Sequence, residues 1–142
     1  MFFGCQAALP LLKNSDGKAS IVNIGSIITS RPYPGLLAYG ASKAAMATLT
    51  KSIALHCAQH QYGIRVNVIH PGGIQTAIFE QALAETGLPH EEAYAMWRDT
   101  HPICRIGTPD EVADAVLWLA SDRSSFVTGA EIQVDGGAAI RT

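Results

Sequence analysis

The sequence predicts an α/β fold in which helices cover a parallel β-sheet. Short β-branched runs alternate with long helical segments along the chain, the order that builds a sheet from crossover units. Two of those runs, "SIVNIGS" and "IRVNVIH", suit buried strands. The 142 residues amount to one domain's length, and 48% hydrophobic with 15% charged residues is a globular composition.

Residues 3–13 read as the rear of a helix, ended by the polar, glycine-containing "NSDGKA". "SIVNIGS" follows as a short buried strand ending at Gly25 and Ser26. "IITSRPYPG" is a loop broken by Pro32, Pro34 and Gly35. A long helix is expected over about 37–60, stopped by Gly63. "IRVNVIH" is a second buried strand, closed abruptly by Pro71, Gly72 and Gly73. Residues 76–107 are less regular, with short helices expected around 77–85 and 90–98. "TPDEVADAVLWLAS" opens a cleaner helix: Thr108 caps it, Pro109 suits its first position, and Asp110 and Glu111 favour its positive end. "AEIQVDGG" is the last strand. Three parallel strands leave a long sheet edge unpaired, which proteins avoid, and the chain opens inside a helix without a capping residue. It therefore reads as the second half of a larger domain.

A formal charge of −2 argues against nucleic acid and anionic membrane as partners, since both favour a basic stripe. No apolar run approaches the roughly 20 residues of a membrane helix. "MFFGCQAALPLL" lacks a basic lead-in and a cleavage pattern, so a cytoplasmic location is expected. Cys5, Cys57 and Cys104 give neither a disulfide framework nor a zinc pattern and read as buried thiols. His56 and His60 lie four apart without a third ligand, so no metal site is expected.

The chemistry concentrates in "YGASK". Tyr39 and Lys43 are four apart on a predicted helix and so share a face. A free phenol is a poor base at neutral pH, and an adjacent ammonium favours the phenolate by direct charge attraction. Ser26 lies at the carboxyl end of a predicted strand, where open α/β sheets bind ligands. After the next strand, "HPGGIQT" turns at Pro71 and Gly72; Gly73 lets another group approach closely, and Ile74 and Thr76 offer an amide and a hydroxyl. His70 packs or hydrogen-bonds at the strand end, and Asn23 suits a structural role.

In order and at its spacing, the set "NIGS", "YGASK", "RVNVIHPGGIQT", "RIGTPDEVADAVLWLASD" and "VTGAEIQVDGG" resembles the classical short-chain dehydrogenase/reductase family. The resemblance covers the whole chain apart from a divergent stretch at about 77–100. It implies a Rossmann-like doubly wound parallel sheet of which only the second half is present, without the N-terminal strands and the glycine-rich turn. Residues 1–142 are then the C-terminal part of a single catalytic domain, with a lid and substrate region at about 76–105.

The implied activity is NAD(P)-dependent oxidoreduction, interconverting a secondary alcohol and a ketone. By the same resemblance Tyr39 is the general acid/base, Lys43 assists it and holds the nicotinamide ribose, and Ser26 holds the substrate oxygen. Pro71, Gly72, Ile74 and Thr76 form the wall that holds the nicotinamide. Trp97 and His101 lie where the family places a substrate lid; the lid aromatics either line an apolar pocket or simply pack. NAD and NADP are not distinguished, because the residue that selects between them lies outside the chain. The resemblance also implies a homodimer or homotetramer, with the alanine-rich helix 37–60 at a subunit contact. The other reading is a non-catalytic remnant acting as an interaction partner.

Overall fold

The computed structural model describes residues 1–141. Eight main elements follow the expected order: α1 Phe2–Leu12, β1 Ala19–Ile24, α2 Leu37–Gln59, β2 Ile64–Pro71, α3 Ala77–Glu85, α4 His90–Arg98, α5 Pro109–Ala120 and β3 Glu131–Val134. The sheet runs β1-β2-β3 and both pairings are parallel. Ala19 pairs with Ile64 and Ile24 with Ile69, while Val68 pairs with Glu131 and Pro71 with Val134. The far edge of β1 pairs with no strand among the described residues.

β2 is the centre of the molecule, because alternate side chains point to opposite faces of a strand. On one face Ile64 and Val66 pack with Ala19 and with Ala54 and Cys57 of α2, and Leu9 and Leu12 of α1 close over them. On the other face Arg65 donates to the Leu119 and Ser121 carbonyls at 2.8 and 3.0 Å, fastening the end of α5. Asn67 continues that face, donating to the Val127 carbonyl at 2.9 Å and accepting from the Ala130 N–H at 3.0 Å. A guanidinium and an amide are tolerated in the middle strand because each buried donor has a carbonyl to meet. Val66 and Val68 are wholly buried, each stabilising the fold by about 1.5–3 kcal/mol.

Asn23 has the structural role expected of it: it is buried and donates to Thr50 Oγ1 of α2 at 3.0 Å. The cysteine expectation needs a correction. Cys5 and Cys57 are buried, and desolvation pushes both thiols up, whereas Cys104 is exposed. Cys104 sits in a tight turn at φ 56, its N–H bonded to the His101 carbonyl at 2.8 Å.

Candidate active site

The carboxyl ends of β1 and β2 carry two loops that form the walls of one site. At the end of β1, Ser26 is half-buried and extended (φ −167, ψ 149), and its Oγ accepts the Ile28 N–H at 3.3 Å, capping the turn Ile27–Thr29. The first turns of α2 lie beside this loop, since a methyl built on Gly40 would stand 3.4 Å from Ile28 Cγ1. Tyr39 projects from that turn and is 44% exposed, which leaves its ring open to a ligand. Lys43 Nζ donates to the Ile24 carbonyl at 3.0 Å and stands 5.5 Å from the centre of the Tyr39 ring. That distance is within the reach of a cation–π attraction. Lys43 thus reaches the end of β1, where the Ser26 loop begins, the ammonium being tied to the strand rather than to the phenol.

The second wall runs from Pro71 to Thr76. Gly72 N–H donates to the Val134 carbonyl at 3.1 Å. Ile74 then pairs in parallel with Gly107: the Gly107 N–H meets the Gly73 carbonyl, and the Gln75 N–H meets the Gly107 carbonyl, both at 2.9 Å. In such a pairing Ile74's own amide faces away from Gly107. Thr76 caps α3, its Oγ1 accepting the Phe79 N–H at 3.3 Å. Sequence reasoning gave Thr76 to the cofactor and missed the cap, although a threonine just before a helical run is the usual signal.

Gly107 is in turn fixed by the start of α5. Thr108 and Glu111 form a reciprocal capping box, and Glu111 also pairs with Arg105 at 2.5 Å. Hydrogen bonding from Arg105, then from the Thr108 backbone, holds the Glu111 carboxyl down at about 2.

Two buried histidines close the rear of the walls. His101 is 3% exposed, and its Nε2 accepts the Gly73 N–H at 2.9 Å. The hydrogen of the neutral ring therefore lies on Nδ1, 2.9 Å from the Trp97 carbonyl. Gly73 is needed here: a Cβ on it would stand 2.9 Å from the His101 ring. The group expected to approach this glycine is thus an imidazole of the chain itself. His70 occupies the matching place behind Ser26, wholly buried. Trp97 packs edge-on against Phe79 at 5.8 Å, in a cluster with Leu83, Ala93 and Ile106. Its indole N–H is buried and has no partner among the described residues.

A family profile described as enoyl-(acyl carrier protein) reductase matches residues 1–139. The chain belongs to the short-chain dehydrogenase/reductase family. It is 41% identical over 137 residues to an NADP-dependent (R)-specific alcohol dehydrogenase of Lentilactobacillus kefiri, covering 96% of this chain and 52% of that protein. A 3β-hydroxysteroid dehydrogenase of Eggerthella lenta is 39% identical over 137 residues, 96% of this chain and 50% of that one. Among solved structures, the Thermoplasma acidophilum aldohexose dehydrogenase superposes with a TM-score of 0.91 at 39% identity, over 99% of this chain and 55% of the other. The fold is Rossmann-like α/β, and this family member spans about half the length of the relatives it matches.

The residues present fit one end of a nicotinamide cofactor. The Ile74 amide, turned away from Gly107, and the Tyr39–Lys43 face supply donors at the strand ends. A glycine-rich turn for the pyrophosphate does not occur between β1 and α2 or between β2 and α3 among the described residues.

Proposed function

We propose that the chain carries the proton-transfer and nicotinamide-facing half of an NAD(P)-dependent oxidoreductase that interconverts a secondary alcohol and a ketone. One observation supports this reading: Lys43, 5.5 Å from the centre of the Tyr39 ring, reaches the Ile24 carbonyl at the end of β1, two residues before Ser26. The cofactor, NAD or NADP, supplies or accepts the hydride when bound. The Ser26 hydroxyl donates to the substrate oxygen and stabilises the charge that develops there. Tyr39 gives its proton to that oxygen in reduction and takes one from the alcohol in oxidation. Lys43, fixed on the Ile24 carbonyl, holds its positive charge 5.5 Å from the centre of the Tyr39 ring.

Ile74 through its amide, Thr76 through its hydroxyl, and Pro71 and Gly72 through their backbone form the nicotinamide wall. In the proposed lid, 76–105, Trp97 packs against Phe79 and supports the lid from within, while His101 supports the wall from behind, through Gly73. The names of the relatives cover alcohols, hydroxysteroids and sugars, and a small-molecule alcohol or ketone is the substrate class proposed here. The exposed residues Leu37, Ala38, Ala41, Ala44 and Ala45 of α2 give a smooth helix face, which suits a homodimer or homotetramer. No helix is long and apolar enough to cross a membrane among the described residues, and a cytoplasmic setting is proposed.

The test is a graft of this chain in place of the matching half of the L. kefiri alcohol dehydrogenase. Tyr39→Phe is expected to lower kcat about 10²–10⁴-fold, with the cofactor Kd almost unchanged. An undiminished kcat would sink the reading. Titration of the 142-residue chain itself with NADH and NADPH, followed by fluorescence, is expected to give only weak binding.

A further inference from the structure

Behind Ser26 a chain of contacts crosses the whole sheet. Lys51 Nζ of α2 lies 2.5 Å from Glu131 Oε1 at the start of β3, and Glu131 Oε2 lies 2.9 Å from His70 Nε2 at the end of β2. On the other side of the ring, the Ser26 N–H points at Nδ1 at 3.2 Å, with the Thr29 hydroxyl at 3.3 Å and the Ser26 carbonyl at 2.9 Å. The imidazole has no exposed surface. Gly25 is shaped around it, because a Cβ there would stand 2.5 Å from Nδ1, 2.7 Å from Cε1 and 3.0 Å from the Ile69 carbonyl.

Charge decides which nitrogen holds the hydrogen. Lys51 first, then His70, draws the Glu131 carboxyl below its ordinary range, so it is ionised at neutral pH and can only accept. The hydrogen of the 2.9 Å contact therefore belongs to Nε2. The neutral ring then presents a lone pair at Nδ1, which the Ser26 N–H meets. The Ser26 carbonyl, 2.9 Å from Nδ1, accepts the Thr29 hydroxyl at 3.0 Å.

We propose that His70 is the positioning residue for Ser26, its tautomer set by Glu131 and Glu131 held by Lys51. The proposal rests on the reading of Ser26 as the donor to the substrate oxygen. Nothing in the proton-transfer chemistry uses His70 directly; it acts by pinning the backbone that aims the Ser26 hydroxyl. Gly25 N–H, bonded to the Ile69 carbonyl at 2.7 Å, pins the same loop one residue earlier. A donor on a loop is only as well aimed as its support, and misplacement by about 1 Å costs on the order of 10²-fold in rate.

The experiment is long-range ¹H–¹⁵N spectroscopy of the labelled chain at neutral pH. The expected result is the Nε2–H tautomer of His70, with a scalar coupling between the Ser26 amide nitrogen and His70 Nδ1. Glu131→Ala should abolish that coupling and speed Ser26 amide exchange roughly tenfold, the scale of one hydrogen bond, while the Val66 amide stays protected and reports an intact core. Glu131→Gln keeps an acceptor for Nε2–H and should restore both signals. An Nδ1–H or doubly protonated ring, or Ser26 exchange unmoved by Glu131→Ala, would overturn the proposal. In the grafted dehydrogenase, Glu131→Ala should lower kcat roughly tenfold with KM for the cofactor unchanged. If the spectra come out as expected but Ser26→Ala leaves turnover intact, the catalytic reading fails and the positioning of the loop stands.

Discussion

The Ser26 wall and the 71–76 wall are each backed by a buried histidine that accepts a backbone N–H, but the two rings are anchored differently. His70 reaches partners 44 and 61 residues away in sequence, on β1's loop and on β3. His101 turns its other nitrogen to Trp97 and Thr100, within its own segment. The first wall is therefore fixed by assembly of the sheet, the second by the lid. Under the proposed roles this suits Ser26, whose hydroxyl needs a permanent geometry as donor to the substrate oxygen.

The largest expected effect on this contrast comes from His70→Ala, which removes the partner of the Ser26 N–H and leaves a cavity where a wholly buried ring stood. Urea unfolding should show a loss of about 3 kcal/mol, against about 2 kcal/mol for His101→Ala. Equal or reversed losses would break the contrast. Gly25→Ala should cost about 2 kcal/mol and Gly73→Ala about 1 kcal/mol, because the added methyl at Gly25 meets a ring that has no room to retreat and also the Ile69 carbonyl. Lys51→Ala should cost under about 1 kcal/mol, since its side chain is 56% exposed and solvent screens the pair.

Acid titration gives the smallest effect. Glu111 has a folded pKa pulled down to about 2, so its contribution to the start of α5 is present above the ordinary glutamate range and is lost as pH falls toward that value. Exchange of the Thr108 amide against pH measures it: protection should persist well below pH 4 and then disappear. Loss of protection already near the ordinary carboxylate range would show that Arg105 does not hold the carboxylate.

Elements with a periodic or capping signature were legible in the sequence. α2, expected over 37–60, runs Leu37–Gln59, and the two short lid helices fall where they were placed. The capping grammar of "TPDE" predicts the start of α5 because every part of it is local. Helical spacing also placed Tyr39 and Lys43 on one face of α2, and Lys43 stands 5.5 Å from the centre of the Tyr39 ring. What was not legible depends on contacts distant in sequence. His70 reads as a residue that packs or bonds at a strand end, and nothing in "VIHPGG" names Glu131 or Lys51 as its partners. Likewise the approach allowed by Gly73 was foreseen, but not that a histidine of the lid makes it. Cys104 was misplaced because burial of thiols is a statistical habit that a left-handed turn overrides.

The bare Cα of Gly25 has an evolutionary corollary. A lineage that exchanged His70 for a smaller residue would remove the two nearest obstacles beside position 25 and leave only the Ile69 carbonyl, whereas one that keeps the imidazole keeps the glycine. These two sites, far apart along the gene, are bound to drift together.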